Sequence, residues 1–274
     1  MILRSFESAS NGMLSLIDMN DNTANNLANV NTAGYKRSAL TFKNVMDSAV
    51  YQKNGQLITG TSGTNSDRYL GDLSMGSQTM RLTYDFTQGA LQQTKVPYDF
   101  AIQGDGFFKL RDSNGKISYT RNGSFCQDSR GYLTTKEGDS VLDQRNRPIR
   151  LYNDDVAELK SYQIQVTEQG NIEAFDGKTR IPLDSFGIYD FSNKDDLKSV
   201  GESKFAPQSA NNREVRATKY TIQQGSLEMS NSNVIREMLN TINTSRNYES
   251  LGKVITSNSE LLDTAISVGR IRSS

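Results

Sequence analysis

The sequence has no histidine and no tryptophan, and it has a single cysteine, Cys126. Without histidine there is no imidazole for a Ser-His or Cys-His nucleophilic system, and the commonest zinc ligand in catalytic sites is missing. One cysteine forms no intramolecular disulfide and no metal-binding cluster. We interpret Cys126 as a small strand residue inside the fold. Catalysis would have to rest on carboxylates, lysine or tyrosine alone, and we predict no cofactor and no metal site.

The sequence also lacks a charge bias and long apolar runs. Its 31 basic and 31 acidic residues cancel, which disfavours binding to nucleic acid or to an anionic membrane through bulk charge. Because no run of about 18 apolar residues exists, we predict no membrane-spanning helix. The start of the sequence, MILRSFESASNG, lacks the features of a cleaved secretory signal. Hydrophobic residues make up only 35% of the chain, which favours an extended protein with shared surfaces.

The strongest pattern lies in residues 225–271, where apolar or small residues recur three or four positions apart. This is the spacing of one helical face, and a helix over residues 233–266 would be about 50 Å long. Residues 3–30 keep the same spacing, which predicts a second helix that ends before Gly34. Because both stripes are narrow, we predict that the helices pair in a coiled coil and complete their burial against neighbouring subunits. An ordinary helical hairpin that caps a domain is the alternative.

The predicted assembly seam takes its residues from both helices. Its members are Leu3, Phe6, Met13, Ile17, Ala24, Leu27, Ile235, Met238, Ile242, Tyr248, Ile255, Leu262 and Ile266.

The part of the chain between the two helices changes its period. Residues 35–77 carry a weak signal: residues 40–50 could form a short helix or strand, and the polar, Gly-rich residues 55–77 are interpreted as a flexible loop or an extended arm. Lys36 and Arg37 are interpreted as part of a solvated turn. From residue 78 to 220, apolar residues alternate with polar ones and turn signals are closely spaced, as in the hairpin predicted around residues 112–115. This pattern predicts an antiparallel β domain, a sandwich or a barrel-like fold.

No candidate for chemistry in this region forms a coherent site. Residues 104–106, Gly-Asp-Gly, resemble the start of a phosphate loop, but they lie between two strand segments and no helix follows. Residues 112–115 and 128–131 do not extend to a calcium-binding loop with a terminal Glu. The carboxylate pairs at 154–155 and 195–196 would suit a glycosidase, but this type of pair in a loop is usually solvated. Assembly is therefore favoured over catalysis.

Several segments resemble the bacterial flagellar rod and hook proteins. Residues 25–37, NNLANVNTAGYKR, resemble the N-terminal signature of that family, and residues 225–255 resemble its closing helix. Residues 86–108 and 119–142 resemble the segments that open its β domain. The matches cover both ends and the middle, in order. The residues that carry the motif are Asn25, Asn26, Leu27, Ala28, Asn29, Asn31, Thr32, Gly34 and Tyr35.

The resemblance implies an α+β fold in which long N- and C-terminal helices form a coiled-coil-like inner domain around a central antiparallel all-β domain. Residues 1–75 and 222–274 would form the helical inner domain with its extended arm, and residues 76–221 the β-rich outer domain. Within the family, the closing segment 261–271 resembles the proximal rod branch (FlgF) more than the distal rod branch (FlgG), which is the alternative.

The resemblance further implies a non-enzymatic structural subunit of the flagellar basal-body rod, which polymerises head to tail as drive shaft and export channel. The implied partners are copies of the chain, other rod proteins, the flagellar type III export apparatus, and the MS-ring and P/L-ring proteins. The implied location is the basal body in the periplasm, reached without a cleaved signal. A periplasmic hydrolase that uses carboxylates and a secreted adhesin are the alternatives from other classes.

Overall fold

The computed structural model describes residues 2–44, 48–53, 56–59, 68–73, 77–151, 162–175 and 179–271. Long α-helices occupy both ends of this part of the chain. Helix α1 (Ile2–Ala28) has 27 residues, and helix α2 (Val234–Ile271) has 38 residues. A single 3-10 turn, Lys194–Asp196, lies between them among the described residues. None of the described helices is long and apolar enough to cross a membrane.

The described residues between α1 and α2 form β-strands. In chain order these are β1 (Ser38–Asn44), β2 (Ser48–Lys53), β3 (Gln56–Thr59), β4 (Arg68–Leu73), β5 (Ser77–Tyr84), β6 (Leu91–Gln93), β7 (Phe100–Gly104), β8 (Phe107–Arg111), β9 (Ile117–Thr120), β10 (Phe125–Gln127), β11 (Leu133–Thr135), β12 (Ser140–Val141), β13 (Gln163–Val166), β14 (Asn171–Phe175), β15 (Arg180–Ser185), β16 (Ile188–Phe191), β17 (Leu197–Gly201), β18 (Lys204–Pro207), β19 (Glu214–Arg216), β20 (Tyr220–Gln224) and β21 (Ser226–Glu228).

The predicted fold class is wrong in its account of the helical part. An α+β protein with a coiled-coil-like inner domain of terminal helices was expected, but the described residues hold only two α-helices among 21 strands, and sheet dominates. The stretch interpreted as a loop or arm contains β3 and β4 where it is described, and both strands pair with β2 in the order β3-β2-β4. Backbone pairing between these strands satisfies their peptide groups, and sequence periodicity alone did not reveal that pairing. Coiled-coil packing of the helices is not shown.

The chain divides into two compact units. The first holds α1 up to Leu27, the chain from Ser38 to Thr83, and α2, and the second consists of Ala28–Arg37 and Tyr84–Asn233. In the first unit, β1 pairs with β5, and β2 pairs antiparallel with both β3 and β4. The predicted boundaries at 75/76 and 221/222 stay a prediction about domains in an assembly.

The second unit contains the predicted antiparallel β domain. Its largest sheet runs in the order β10-β11-β12-β8-β9-β18-β17, with β16 joined to β8 and β19 joined to β16. The predicted hairpin is the β8–β9 pair, in which Leu110 lies opposite Ser118. Gly115 closes its turn with φ +81°, a left-handed conformation that glycine adopts without strain. The sheet order β13-β14-β15 and the β20–β7 pair complete the layers around the core.

Two apolar clusters fill the second unit. The larger joins strands from several sheets, and its fully buried members include Phe100, Phe108 and Phe186. These rings lie edge to face or tilted, with Phe108 and Phe186 centred 5.4 Å apart, an arrangement that adds stabilisation beyond burial. The smaller cluster is built around Phe107 and Phe205. Interlocked aromatic rings therefore form the core of the second unit.

Candidate functional site

The motif residue Asn26 lies at the end of α1 and is fully buried. Its amide nitrogen donates to the carbonyl of Ser38 at 2.8 Å, and its side-chain oxygen accepts from the Ser38 backbone N–H at 2.9 Å. An asparagine side chain pairs with both the N–H and the carbonyl of one residue in this way because it carries both an acceptor and a donor. Asn22, one turn earlier, donates to the same carbonyl at 3.0 Å. These bonds fix the start of β1 against the last turns of α1.

The motif glycine, Gly34, lies in the connector that follows α1, with φ +68°. A Cβ at this position would lie 2.2 Å from the backbone nitrogen of Asn122, so only glycine fits without a backbone shift. The Gly34 N–H donates to the carbonyl of Glu228 at 2.7 Å. Gly34 has the predicted left-handed conformation, but α1 already ends at Ala28, so this glycine lies in the connector and does not end the helix. The structure adds the reason for glycine, which is close approach to another chain segment.

Lys36 lies two residues further on and is 1% exposed. Its interpretation as part of a solvated turn is wrong: Lys36 Nζ lies 2.6 Å from Glu228 Oε1 and donates to the carbonyl of Thr87 at 2.7 Å. Arg121 Nη1 lies 3.3 Å from Glu228 Oε2, and Arg121 Nη2 donates to the carbonyl of Gly104 at 2.8 Å. Three buried charges, two positive and one negative, thus meet at one point.

Burial controls the electrostatics of this cluster. It lowers the pKa of Lys36, and the charge and hydrogen bond of Glu228 only partly oppose the effect. The pKa of Arg121 is lowered for the same reason, with Glu228 again the main opposing charge. The guanidinium of Arg121 also lies 5.3 Å from the centre of the Phe107 ring, a favourable cation–π contact. Because Glu228 is the carboxylate that pairs with both cations, it organises the cluster.

Sequence reasoning did not single out Arg121 or Glu228. The available signal was the position of Glu228 inside GSLEMSN, a segment already matched to the family, where a charged residue interrupts an otherwise small and apolar stretch. Only the fold shows that Glu228 faces Lys36, which is 192 residues away in the chain.

The other motif residues divide into exposed and partly covered positions. Asn25, Ala28 and Asn31 are exposed, and Leu27, Asn29, Thr32 and Tyr35 are half-buried. The hydroxyl of Thr32 donates to Asn29 Oδ1 at 3.2 Å, and the Tyr35 N–H donates to the Thr32 carbonyl at 3.3 Å. These local bonds shape the connector into a tight turn.

The predicted seam residues lie mostly on the outside of the two helices. On α2, Ile235, Met238, Ile242, Tyr248 and Ile266 are each at least 40% exposed. Ile255 and Leu262 are half-buried. On α1, Ile17 and Ala24 are exposed, and Phe6, Met13 and Leu27 are half-buried. Leu3 belongs to α1, and its side chain is outside the described residues. None of the seam side chains that the structure describes is buried, so they form no common core within the chain.

The buried positions of the helices carry small or polar side chains. Among the helix side chains that the structure describes, they are Ala9, Ser15, Thr23 and Asn26 on α1, and Glu237 and Thr244 on α2. Thr23 and Asn26 come one residue before the predicted seam residues Ala24 and Leu27, and one residue turns a helix by about 100°. The helices approach each other at Gly12, where a Cβ would lie 3.1 Å from Leu251 Cδ1. The intrachain contact therefore leaves large apolar side chains outside.

A cleft of about 290 Å³ lies between the two helices, lined by Leu16, Ile17 and Asn20 of α1 and by Thr244, Ser245, Tyr248 and Glu249 of α2. Its walls combine apolar side chains with amide, hydroxyl and carboxylate groups. Its lining residues include one carboxylate and no histidine, cysteine or lysine.

The described segments that the sequence offered as phosphate-loop, calcium-loop or carboxylate sites lie in turns of the second unit. Gly104 and Gly106, with φ of +106° and +117°, connect β7 to β8, and Asp112 and Asp128 each accept hydrogen bonds from their own turns. Residues 154–155 lie outside the described residues. Across the described ranges, no three His, Cys, Asp or Glu side chains are grouped as metal ligands would be. Cys126 is half-buried in β10, with its sulfur 3.5 Å from the carbonyl of Thr134.

Two family profiles match the chain. Residues 101–174 match the flagellar hook protein FlgE/F/G D1 domain, and residues 223–268 match the flagellar basal body rod FlgEFG protein C-terminal region. The second match contains Glu228 and most of α2. The first contains most members of the larger apolar cluster.

Whole-length relatives agree with these profiles. The FlgG basal-body rod protein of Bacillus subtilis is 30% identical over 275 residues, which is 98% of this chain and 100% of the relative. FlgG of Buchnera aphidicola from Acyrthosiphon pisum is 31% identical over 87% of this chain and 89% of the relative. FlgF of Caulobacter vibrioides is 29% identical over 90% of this chain and 89% of the relative. Because FlgG relatives match at least as well as FlgF relatives, the comparisons do not support the preference for FlgF.

Proposed function

The chain belongs to the family of flagellar hook and basal-body rod proteins, and we propose that it polymerises head to tail through its two terminal helices. It is a structural rod subunit of the FlgF/FlgG type and not an enzyme. The function therefore lies in contacts between subunits.

One observation carries the proposal: large apolar side chains of α1 and α2 face outward while the buried helix positions are small or polar. Leu14 and Leu261 are each 59% exposed, and Leu239 is 54% exposed. Exposed apolar surface of this extent is costly in water and is typical of surfaces that bind another protein. We assign the seam residues of both helices to contacts with neighbouring subunits. Contact surfaces that are not self-complementary extend into a helical array and do not close into a dimer.

The proposed arrangement has an inner domain from residues 1–75 and 222–274 and an outer domain from residues 76–221. The inner helices would surround the channel of the rod, and the β domain would face outward. Copies of the chain and other rod proteins are the primary partners. The flagellar type III export apparatus and the MS-ring and P/L-ring proteins are further proposed partners, and assembly is proposed to occur in the periplasm.

The test is a pair of matched substitutions on α2. Ile242→Asp places a charge on the proposed seam, at a residue that is 48% exposed and therefore contributes little to the fold of the single chain. Asn243→Asp places the same charge on the next residue, which is also exposed but lies about 100° around the helix. Each full-length variant replaces the native protein in cells, and basal bodies are then isolated and assayed for the chain.

We expect Ile242→Asp to be absent from basal bodies and to abolish swimming, while Asn243→Asp is incorporated. Near-ultraviolet circular dichroism of the purified variants checks that the aromatic core of the second unit is intact. Incorporation of Ile242→Asp at the native level would refute the seam. Recovery of the native chain free outside the cell, and not in basal bodies, would favour the adhesin alternative.

A further inference from the structure

A polar groove of about 500 Å³ lies in the second unit. It is formed by the turn after β12 and by parts of β14, β15 and β19. The charged and polar side chains that carry the argument are Asp143, Arg145, Arg147, Asn171, Asp184 and Arg216. Assembly through the helices, as proposed above, does not use this groove.

Asp143 builds one wall of the groove. Its side chain is 2% exposed, and its Oδ1 accepts from the backbone N–H groups of Arg145 and Arg147, both at 2.7 Å. Its Oδ2 accepts from Arg147 Nε at 3.0 Å, and Arg147 Nη2 lies 3.0 Å from the same oxygen. The buried carboxylate therefore fixes the turn and holds the Arg147 guanidinium at the rim. Since Asp143 is fully paired in this way, it does not neutralise the other arginines.

Arg145 and Arg216 supply donors that the fold leaves available. Arg216 Nη2 donates to the carbonyl of Gln144 at 3.1 Å, which positions the guanidinium and leaves most of its N–H groups for a ligand. The guanidinium of Arg145 is exposed and has no hydrogen-bond or ion-pair partner among the residues that the structure describes. Asn171, also exposed at the groove, adds an amide.

The charges select the kind of anion. Three arginines and two aspartates leave one positive charge in excess, which matches a monoanion. Burial raises the pKa of Asp184. A backbone hydrogen bond from Ser185 lowers this pKa in part, and the neighbouring charge of Asp143 raises it further. Both aspartates would repel a dianionic phosphate. A carboxylate carries half that charge and also matches the planar fork of a guanidinium group. Pro182 and Leu183, which also line the groove, offer apolar surface to a methylene stem.

We propose that this groove binds a carboxylate side chain of an acidic peptide segment carried by a protein partner. Arg145 and Arg216 donate to the carboxylate, and Arg147, held by Asp143, closes one side. The excess positive charge attracts the segment, and the low net charge makes the binding weak and salt-sensitive.

The experiment titrates the full-length protein with an acetylated, amidated peptide of consecutive glutamates, using isothermal calorimetry at low salt. A glutamine peptide of the same length is the ligand control. Arg145→Gln is expected to weaken binding by about tenfold, the loss typical of one charge-assisted hydrogen bond. Asp184→Asn is expected to strengthen binding, because it removes a negative charge from the groove. Arg130→Gln removes the same charge at an exposed residue of the 128–131 turn and is expected to leave the affinity unchanged.

Three outcomes would overturn the proposal. The first is equal affinity for the glutamate and glutamine peptides. The second is an equal loss of affinity for Arg145→Gln and Arg130→Gln. The third is displacement of the glutamate peptide by inorganic phosphate at a lower concentration than by acetate. The titration needs no assembled rod. A negative result would therefore leave the proposed polymerisation untouched, and a failure of Ile242→Asp to block assembly would leave this site untouched.

Discussion

Lys36 Nζ lies 2.6 Å from Glu228 Oε1, and both side chains are fully buried. Lys36 belongs to the connector that follows α1, and Glu228 ends β21, the last strand before α2. The Gly34 N–H donates to the backbone carbonyl of the same glutamate. The family motif near the N-terminus and the segment before the C-terminal helix are thus joined by one residue. Arg121 adds a second cation to that residue.

Loss of the Glu228 charge is expected to destabilise the second unit more than loss of the Lys36 charge. Glu228→Gln leaves two buried cations without a counter-charge, whereas Lys36→Met leaves Glu228 paired with Arg121. Breaking a buried pair by removing one partner costs about 3–5 kcal/mol, and we expect Glu228→Gln to lie in this range and Lys36→Met below it. Urea unfolding followed by tyrosine fluorescence measures both. Glu137→Gln, at an exposed turn residue, is the control, and equal losses for the two buried residues would contradict the account.

Substitution of Gly34 tests the close approach in the connector. Gly34→Ala combines a left-handed φ of +68° with a Cβ that would lie 2.2 Å from Asn122 N. Gly115→Ala shares the left-handed conformation, with φ +81°, but its Cβ would meet nothing within 4 Å. The control should cost about 1 kcal/mol, the penalty for the conformation alone. Gly34→Ala should cost clearly more in the same urea assay, and similar costs would show that the contact with Asn122 relaxes freely.

The pH dependence of stability tests Asp143. Burial raises its pKa, but hydrogen bonds from the backbone and side chain of Arg147 and the backbone of Arg145 outweigh burial and lower the pKa below 3.8. Because the pKa is lower in the folded state, Asp143 adds stability above the unfolded-state pKa, and this stability is lost as pH falls through the folded-state pKa.

The matching variant is Asp143→Asn. At pH 7 it should be less stable than the native chain by about 1–3 kcal/mol, the cost of unsatisfied buried hydrogen-bonding groups. The difference should shrink below about pH 4, as the native carboxylate becomes protonated. Urea midpoints across this range measure it, with Glu137→Gln again as control. A difference that is constant with pH would show that the charge of Asp143 does not contribute.

Sequence periodicity located the two terminal helices and the strands after residue 78 well, because helices and alternating strands leave local signals in the sequence. The three- and four-residue spacing coincides with α1 and α2, and the alternation after residue 78 coincides with the antiparallel strands of the second unit. Periodicity failed for β3 and β4, because both lie in a polar, Gly- and Ser-rich stretch without a clear alternation of apolar and polar residues. Strand pairing is a non-local property, so a weak local signal was interpreted as an arm.

The sequence by itself determined the composition, which has no histidine and a balanced charge. It also determined the two long helices and the motif that resembles the family. Tertiary structure alone decided which of them meet. It turned Lys36 from a surface residue into one member of a buried charge cluster, because the fold brings residues 36, 121 and 228 to one point. It also set the buried face of α1 one residue away from the apolar stripe. A helical pattern states that one side is apolar, but only packing determines whether that side faces the chain itself or another molecule.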